Sequence, residues 1–386
     1  MALAVAAVPL SIAISEFFLA LALGARVLHS ISGGAELRLP RAFWMWLTLA
    51  ISVAISWVLS PDRHAGWSEI RRLFLVGVLF YVMPALKNYV AAWKGVFVTS
   101  SFGALFLLGD FTRRFFHYRQ ELAAGGPVSF YLRTGGFLHN WMVFGTVEII
   151  VFAGLLSFWS HYPAERRRWW PALLLNCLAA IFSLTRMVWV VCLLLIGIDM
   201  AWQRSRWVWA TPLLPVALFL IVPGIVRTRV TESLDPGYYS NAERIEMLRV
   251  GWRIIQEKPL SGVGPGRVEQ LYSSYLRAGE PLPAYHGHLH NNLVQFAATL
   301  GLPVTAVAFM LVVILFSDLS RRWKSAASTQ DVFLCRTAIY ALIGFLIAGL
   351  FDYTYGHSLA LILLTFAILP ALRTSGHAAG VPEESL

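Results

Sequence analysis

PAYHGHLHNNLVQFAATLGLP, Pro283 to Pro303, joins a polar lead-in with three histidines directly to a long apolar run. His290 and Asn291 stand at the join, and nine residues separate Asn291 from Gly301. In a membrane protein such a join lies at the boundary between water and lipid. A titratable side chain there stays wet while the helix behind it holds it in place. The rest of the chain reads as a frame that brings arginines toward this histidine.

Working outward, composition sets the class. Of 386 residues, 58% are hydrophobic and only 13% are charged, with a mean hydropathy of +0.64. Soluble domains carry about a quarter charged residues. Apolar runs of about 17–25 residues, each long enough to cross a bilayer as a helix, recur along the chain. The expected fold is therefore all-α and polytopic, with the 15 Trp and 13 Tyr available for interfacial belts. Cys177, Cys192 and Cys335 all fall inside apolar runs, which excludes a disulfide framework and a thiolate metal site. The net charge of +10 has no soluble basic domain to carry nucleic-acid binding. It points instead to basic loops and to a basic pocket for an anionic substrate. The first apolar run reads as a span, not a cleavable signal peptide.

Hydropathy predicts about eleven to twelve spans. They begin near Ala4–Leu28 (broken by Pro9) and Ala42–Leu59, and end with the run reaching Ala371. Pro171–Leu184 and Met187–Trp202 are short runs joined at SLTR, so Arg186 stands at a hairpin tip. The expected division is an N-terminal membrane bundle at 1–224, a loop domain at 225–289, C-terminal membrane helices at 290–373 and a disordered cytoplasmic tail at 374–386. Loops carrying Arg38/Arg41, Arg166–Arg168, Arg204/Arg206 and Arg321/Arg322/Lys324 alternate onto one side, cytoplasmic by the positive-inside rule. The Arg186 tip, the 110–136 connection and the 225–289 segment are then outside. So is SPDRHAGWSEIRR, with Arg63, Arg71 and Arg72. Arginines kept on that side imply something anionic to meet them.

Within the outside segment, Ser240 to Glu243 reads as a capping box. Ile245, Leu248, Trp252 and Ile255 then recur at helical spacing, predicting an amphipathic helix ended by Pro259. SGVGPGR, Ser261–Arg267, lacks both the preceding strand and the GK[ST] ending of a phosphate loop, so it reads as a turn.

Arg186 lies where an ionisable group is expensive and usually has work to do, although a snorkelling helix-end arginine is the plain alternative. Arg244 opposes the dipole of its helix, so it either pairs with Glu243 or Glu246 or clamps a phosphate bidentately. The near-neutral pKa of a histidine suits His290 to proton abstraction, the alternative being a polar helix cap that Asn291 equally supplies. His286, His288 and His290 alternate, but no acidic partner set accompanies them, which argues against a metal. Arg133 and His139, in YLRTGGFLHNW, repeat the theme of a basic residue, glycines and His-Asn at a span's start. Arg72 and Arg267 are further candidates.

Three local patterns together resemble the O-antigen ligase family, within the O-antigen ligase and polymerase group. They are SLTRMVW around Arg186, then Arg244 with its tryptophan-bearing helix and Gly-rich turn to Gly266, and His290–Asn291 followed by Gly301. The chain departs from the family in lacking a first span and in having Val304 where Gly, Thr or Tyr is usual. The resemblance implies a GT-C-like membrane glycosyltransferase of the bacterial inner membrane with its active site facing the periplasm. It implies an undecaprenyl-diphosphate-linked O-antigen as donor and a sugar hydroxyl of lipid A–core oligosaccharide as acceptor. It further implies inversion, no metal and no cofactor, with Arg186 and Arg244 on the diphosphate and His290 as the catalytic residue. The same residues suit an O-antigen polymerase or a protein-glycosylating ligase. A lipid-linked glycan flippase is the reading from another class, but it predicts paired broken helices and midplane charges that the sequence lacks.

Overall fold

A computed structural model of the chain describes residues 1–33, 39–283 and 285–373. Arg38 and the expected tail at 374–386 lie outside the described residues. The fold is all-α, with no strand among the described residues. Six helices are long and apolar enough to cross a membrane: α1 (Ile12–Ile31), α2 (Arg41–Leu59), α4 (Tyr89–His117), α5 (Trp141–His161), α11 (Asn292–Ser325) and α12 (Thr329–Ala348). Shorter segments run between them: α3 (Trp67–Val82), α6 (Arg166–Phe182), α7 (Arg186–Trp202), α8 (Leu214–Ile221) and α13 (Ser358–Ala371). The eleven to twelve expected spans thus correspond to six full-length helices and five shorter ones, in a multi-pass membrane protein. The run from Trp207 is not one helix: a 3-10 turn, Arg206–Leu213, contains Pro212 and only then gives way to α8. Between the membrane segments lie α9 (Gly224–Leu234) and α10 (Tyr239–Glu257).

Polar residues at the joins start the helices. Side-chain oxygens of Asn88, Asn140, Asn291 and Ser328 accept the free backbone N–H groups of the first turns of α4, α5, α11 and α12. α5 is apolar all round because it is surrounded, with Ile149, Ile150, Val151 and Ala153 fully buried against α12 and α13. By contrast α1, α2 and the latter half of α11 expose large apolar side chains such as Phe17, Ile55 and Phe309, as a lipid-facing rim does.

The loops meet at two ends. At one, Gln270 Nε2 donates to Asp62 (2.7 Å), Val128 N to Glu232 (3.2 Å), and the Ser129 and Tyr238 hydroxyls lie 2.6 Å apart. The segments expected outside therefore share one end of the bundle. At the other, Lys94 meets Glu165, and a buried network ties α5, α7 and α12 together. In it Asp199 accepts from Arg336 Nη2 (2.6 Å) and the Tyr340 hydroxyl (2.9 Å).

Two local expectations are corrected. α10 begins at Tyr239 with Tyr238 at its N-cap and no side-chain cap bond, so Ser240 and Glu243 form no capping box. Its buried face is Met247, Val250, Gly251, Ile254 and Ile255, while Ile245, Leu248 and Trp252 stay exposed. The sequence carries two apolar stripes on this helix, and the one containing Gly251 faces the protein, where the missing side chain lets Val294 and Leu289 close in.

α11 is interrupted at Gly301, whose φ of 82° and ψ of 166° are not helical. The Gly-rich turn inserts there: Val263 N donates to Ala298 O, Gly264 N to Thr299 O and Leu302 N to Pro259 O, all within 2.9 Å. A Cβ on Gly301 would run into the Leu260 carbonyl, which is why glycine stands at this point. The SGVGPGR turn is thus a backbone clamp across a helix break.

Candidate active site

His290 precedes the N-cap of α11 in a left-handed backbone conformation, φ 48°, unusual outside glycine. Asn291 fixes this turn by capping Val294 N (3.1 Å) and donating to Leu350 O (3.1 Å). The strained conformation turns the His290 ring onto Asp352, in the short connection between α12 and α13, with Nδ1 2.7 Å from Oδ1. Asp352 is fully buried. Burial alone would raise its pKa. The His290 hydrogen bond and the neighbouring His357 outweigh that and hold the carboxyl well below the usual carboxylate range. An ionised Asp352 only accepts, so His290 Nδ1 carries the hydrogen of this bond and Nε2 is the ring nitrogen left to face a substrate. His357 Nε2 lies 3.5 Å from the other carboxylate oxygen, with its Nδ1 3.2 Å from the Thr146 hydroxyl on α5.

His288 lies beside this pair, ring centroids 4.3 Å apart, and its Nδ1 accepts the His290 backbone N–H at 3.4 Å. Burial, and then the charge of His290, pull its pKa down to about 3, so it is neutral at pH 7. His286 is elsewhere, bonded to Pro283 O and stacked near Tyr272. The three alternating histidines therefore do not converge. His288, His290 and Asp352 do, with ligand atoms within 4.8 Å of one another, a group with the residue types of a metal site. In it the His290 Nδ1 already spends its hydrogen on Asp352.

Facing this pair is a group of arginines. Arg186, the first residue of α7, donates to Asn241 Oδ1, Ser240 Oγ (3.2 Å) and Ser233 O (3.4 Å). Arg229, 1% exposed, donates to Glu232 (3.1 Å) and to the Leu184 carbonyl (3.4 Å), bracing the loop before Arg186. Arg133 lies over the Trp141 ring, 4.7 Å from its centroid, and its buried Nε has no partner. Burial, then Arg229, Arg244 and Arg186 in that order, lower the pKa of Arg133, a direct sign of crowded like charge. Arg244 makes no hydrogen bond or ion pair among the described residues. It sits on the second turn of α10. Burial depresses its pKa most, with Asp352 opposing and Arg229 adding to the effect. Its charge also reaches Arg186 and His288. The charges of Arg133, Arg186, Arg229 and Arg244 thus act on one another, that of Arg244 also meets Asp352, and among the described residues only Arg229 of the four is ion-paired.

The remaining candidates separate. Arg72 pairs with Glu69 (2.7 Å) and lies over Tyr353, whose hydroxyl donates to the same Glu69, so it supports the wall beside His288. Arg267 donates to Val263 O and serves the Gly-rich turn. His139 is exposed, with φ 57° and no bonded partner among the described residues. Asp352, His357 and Arg229 are functional candidates that sequence reading missed. The available signal was DYTYGH, a short connection with an Asp and a His at the same membrane end as His290.

Next to the turn that carries His290, an apolar cleft of about 420 Å³ lined by Asn292 runs between α2, α3, α11, α12 and α13. Asn292, Gly349 and Tyr355 line its mouth, and Phe309, Leu315 and Leu364 lie deeper.

Chemically, the arrangement offers guanidinium groups to an anion and, near them, an imidazole whose Nδ1 is held by a carboxylate. No curated protein matches the chain. Residues 171–309, which carry Arg186, Arg229, Arg244 and His290, match the model of the family described as O-antigen ligase, and that stretch of the chain is similar to it.

Proposed function

We propose that the protein is an O-antigen ligase of the bacterial inner membrane. It moves a glycan from undecaprenyl diphosphate to a sugar hydroxyl of lipid A–core oligosaccharide, on the periplasmic face. The observation that carries the reading is Arg244, a guanidinium with no bonded partner among the described residues, close enough to Arg133, Arg186 and Asp352 for their charges to interact. Three arginines directed at one anion match a diphosphate, whose charge grows as it leaves.

The acceptor hydroxyl donates to His290 Nε2. Its oxygen attacks the anomeric carbon from the face opposite the diphosphate, and the new C–O bond forms as the bond to phosphate oxygen breaks. The electron pair goes to the diphosphate, where Arg133, Arg186 and Arg244 stabilise it. The hydroxyl proton goes to His290, and Asp352 stabilises the imidazolium that results. One displacement inverts the anomeric centre, and the arginines supply the charge that a metal would otherwise provide. The apolar cleft lies on the acceptor side of His290, and its dimensions suit an acyl chain of the acceptor.

The test uses protein in detergent with undecaprenyl-diphosphate glycan, rough lipopolysaccharide and EDTA. A ladder of larger lipopolysaccharide that is absent with His290→Ala and Arg186→Ala supports the ligase. Lengthening of the lipid-linked glycan with lipopolysaccharide untouched would replace it with the polymerase. A ladder abolished by EDTA would overturn the metal-free mechanism. Absence of transfer from the wild type in every acceptor condition would favour a transporter.

A further inference from the structure

The opposite end of the bundle holds a second group of cations that the transfer reaction does not use. Arg26, near the end of α1, is 8% exposed and lies over the Tyr81 ring, 5.8 Å from its centroid. Its Nε is buried with no hydrogen-bond partner. Arg373, just past α13, has both Nε and Nη2 buried without partners, and its guanidinium lies against the Tyr89 hydroxyl. No acidic group faces either arginine among the described residues, and the two are close enough for their charges to repel. Beside them is a cavity of about 300 Å³, lined by Ala22, Ala25, Arg26, His29, Val82 and Leu86 among others, with His29 exposed at its rim.

Two unpaired guanidinium groups buried side by side are costly, because each unpartnered N–H forfeits its hydration and the charges repel. A structural role would supply a carboxylate, as Asp199 does for Arg336 at the same end. The helix walls expose Leu28 and Ile31 to lipid next to the cavity. An anion entering from the membrane plane thus meets two guanidinium groups and the His29 imidazole, and brings its own apolar chains to a matching surface. Basic pockets between membrane helices on the cytoplasmic side are a recurrent means of holding anionic headgroups.

We propose that Arg26, Arg373 and His29 form a binding site for the phosphate of an anionic phospholipid, at the end of the bundle opposite the active site.

The test compares wild type with Arg26→Gln/Arg373→Gln by thermal unfolding after delipidation. Phosphatidylglycerol, phosphatidylcholine or inorganic phosphate is added to each. Phosphatidylglycerol should raise the wild-type Tm by several degrees and phosphatidylcholine should not. The double variant should lose that shift while its lipid-free Tm stays level with wild type or rises, since orphaned charges have been removed. An equal shift with inorganic phosphate would assign the site to free phosphate instead of lipid. A double variant that responds to phosphatidylglycerol as wild type does would overturn the site. A lipid-free Tm that falls sharply would mark the arginines as structural, and Arg26→Lys, which keeps charge but loses the fork, should then fall equally.

Discussion

His290 has two ring nitrogens, and Asp352 occupies one of them. Replacing Asp352 by Asn puts an amide donor against Nδ1, so the ring must carry its hydrogen on Nε2 and can no longer accept a proton there. Transfer should fall by about 10²–10⁴-fold, the range of a general base. Binding of the lipid diphosphate should change little, which separate measurements of rate and donor affinity will show. Arg244→Lys keeps charge but loses the two-pronged geometry. Hydrogen bonds to charged groups contribute about 1.5–3 kcal/mol, so donor affinity should weaken by about 10–100-fold. A lysine variant with unchanged affinity would remove Arg244 from the diphosphate site. At this scale the sequence singled out His290, Arg186 and Arg244 as candidates, because residue type and position at a membrane boundary are local facts. Asp352 was hidden because its bond to His290 spans 62 residues of chain. Arg229 was hidden because nothing local distinguishes a buried bracing arginine from a solvated one.

Helix existence was legible in the apolar runs, and Asn140, Asn291 and Ser328 marked true starts. The inner face of α10 was not legible, since two apolar stripes compete and packing against α11 decides between them. The break in α11 was foreshadowed by Gly301 and Pro303 but masked by continuous hydropathy. Gly301→Ala combines a positive φ with a collision at Leu260, and backbone strain of this kind costs about 1–3 kcal/mol. The variant should show a lowered Tm together with reduced transfer, because the clamp positions the helix that follows His290. The loop before α11 adds a pH dependence. The native pKa of His288 is about 3, against an ordinary 6.5, so between those values the unfolded chain binds the proton that the folded one refuses. Stability from this group is complete above pH 6.5 and declines as pH falls toward 3. Thermal melts from pH 7.5 to 4.5 should show this decline, and His288→Gln should flatten it.

Across the whole molecule, alternation of the hydropathy runs foretold which loops gather at one end. The eleven to twelve expected spans appear as six full-length helices and five shorter ones, and short helices such as α13 are buried by their neighbours. The network around Asp199 and Arg336 pins three central helices at the end away from the active site. Removing one member of a buried ion pair costs about 3–5 kcal/mol. Arg336→Met should therefore lower stability by that amount, and adding Asp199→Asn should restore part of it. Equal stabilities for the single and double variants would mean that the pair is not coupled.

The segment matched to the family ends at residue 309, whereas Asp352 and His357 come later. The histidine and its orienting carboxylate are therefore inherited on different stretches of chain. A chimaera exchanging only residues 171–309 with a related ligase would receive a foreign histidine and keep its own carboxylate. Compatibility between the two stretches then limits which proteins of the matched family can trade parts.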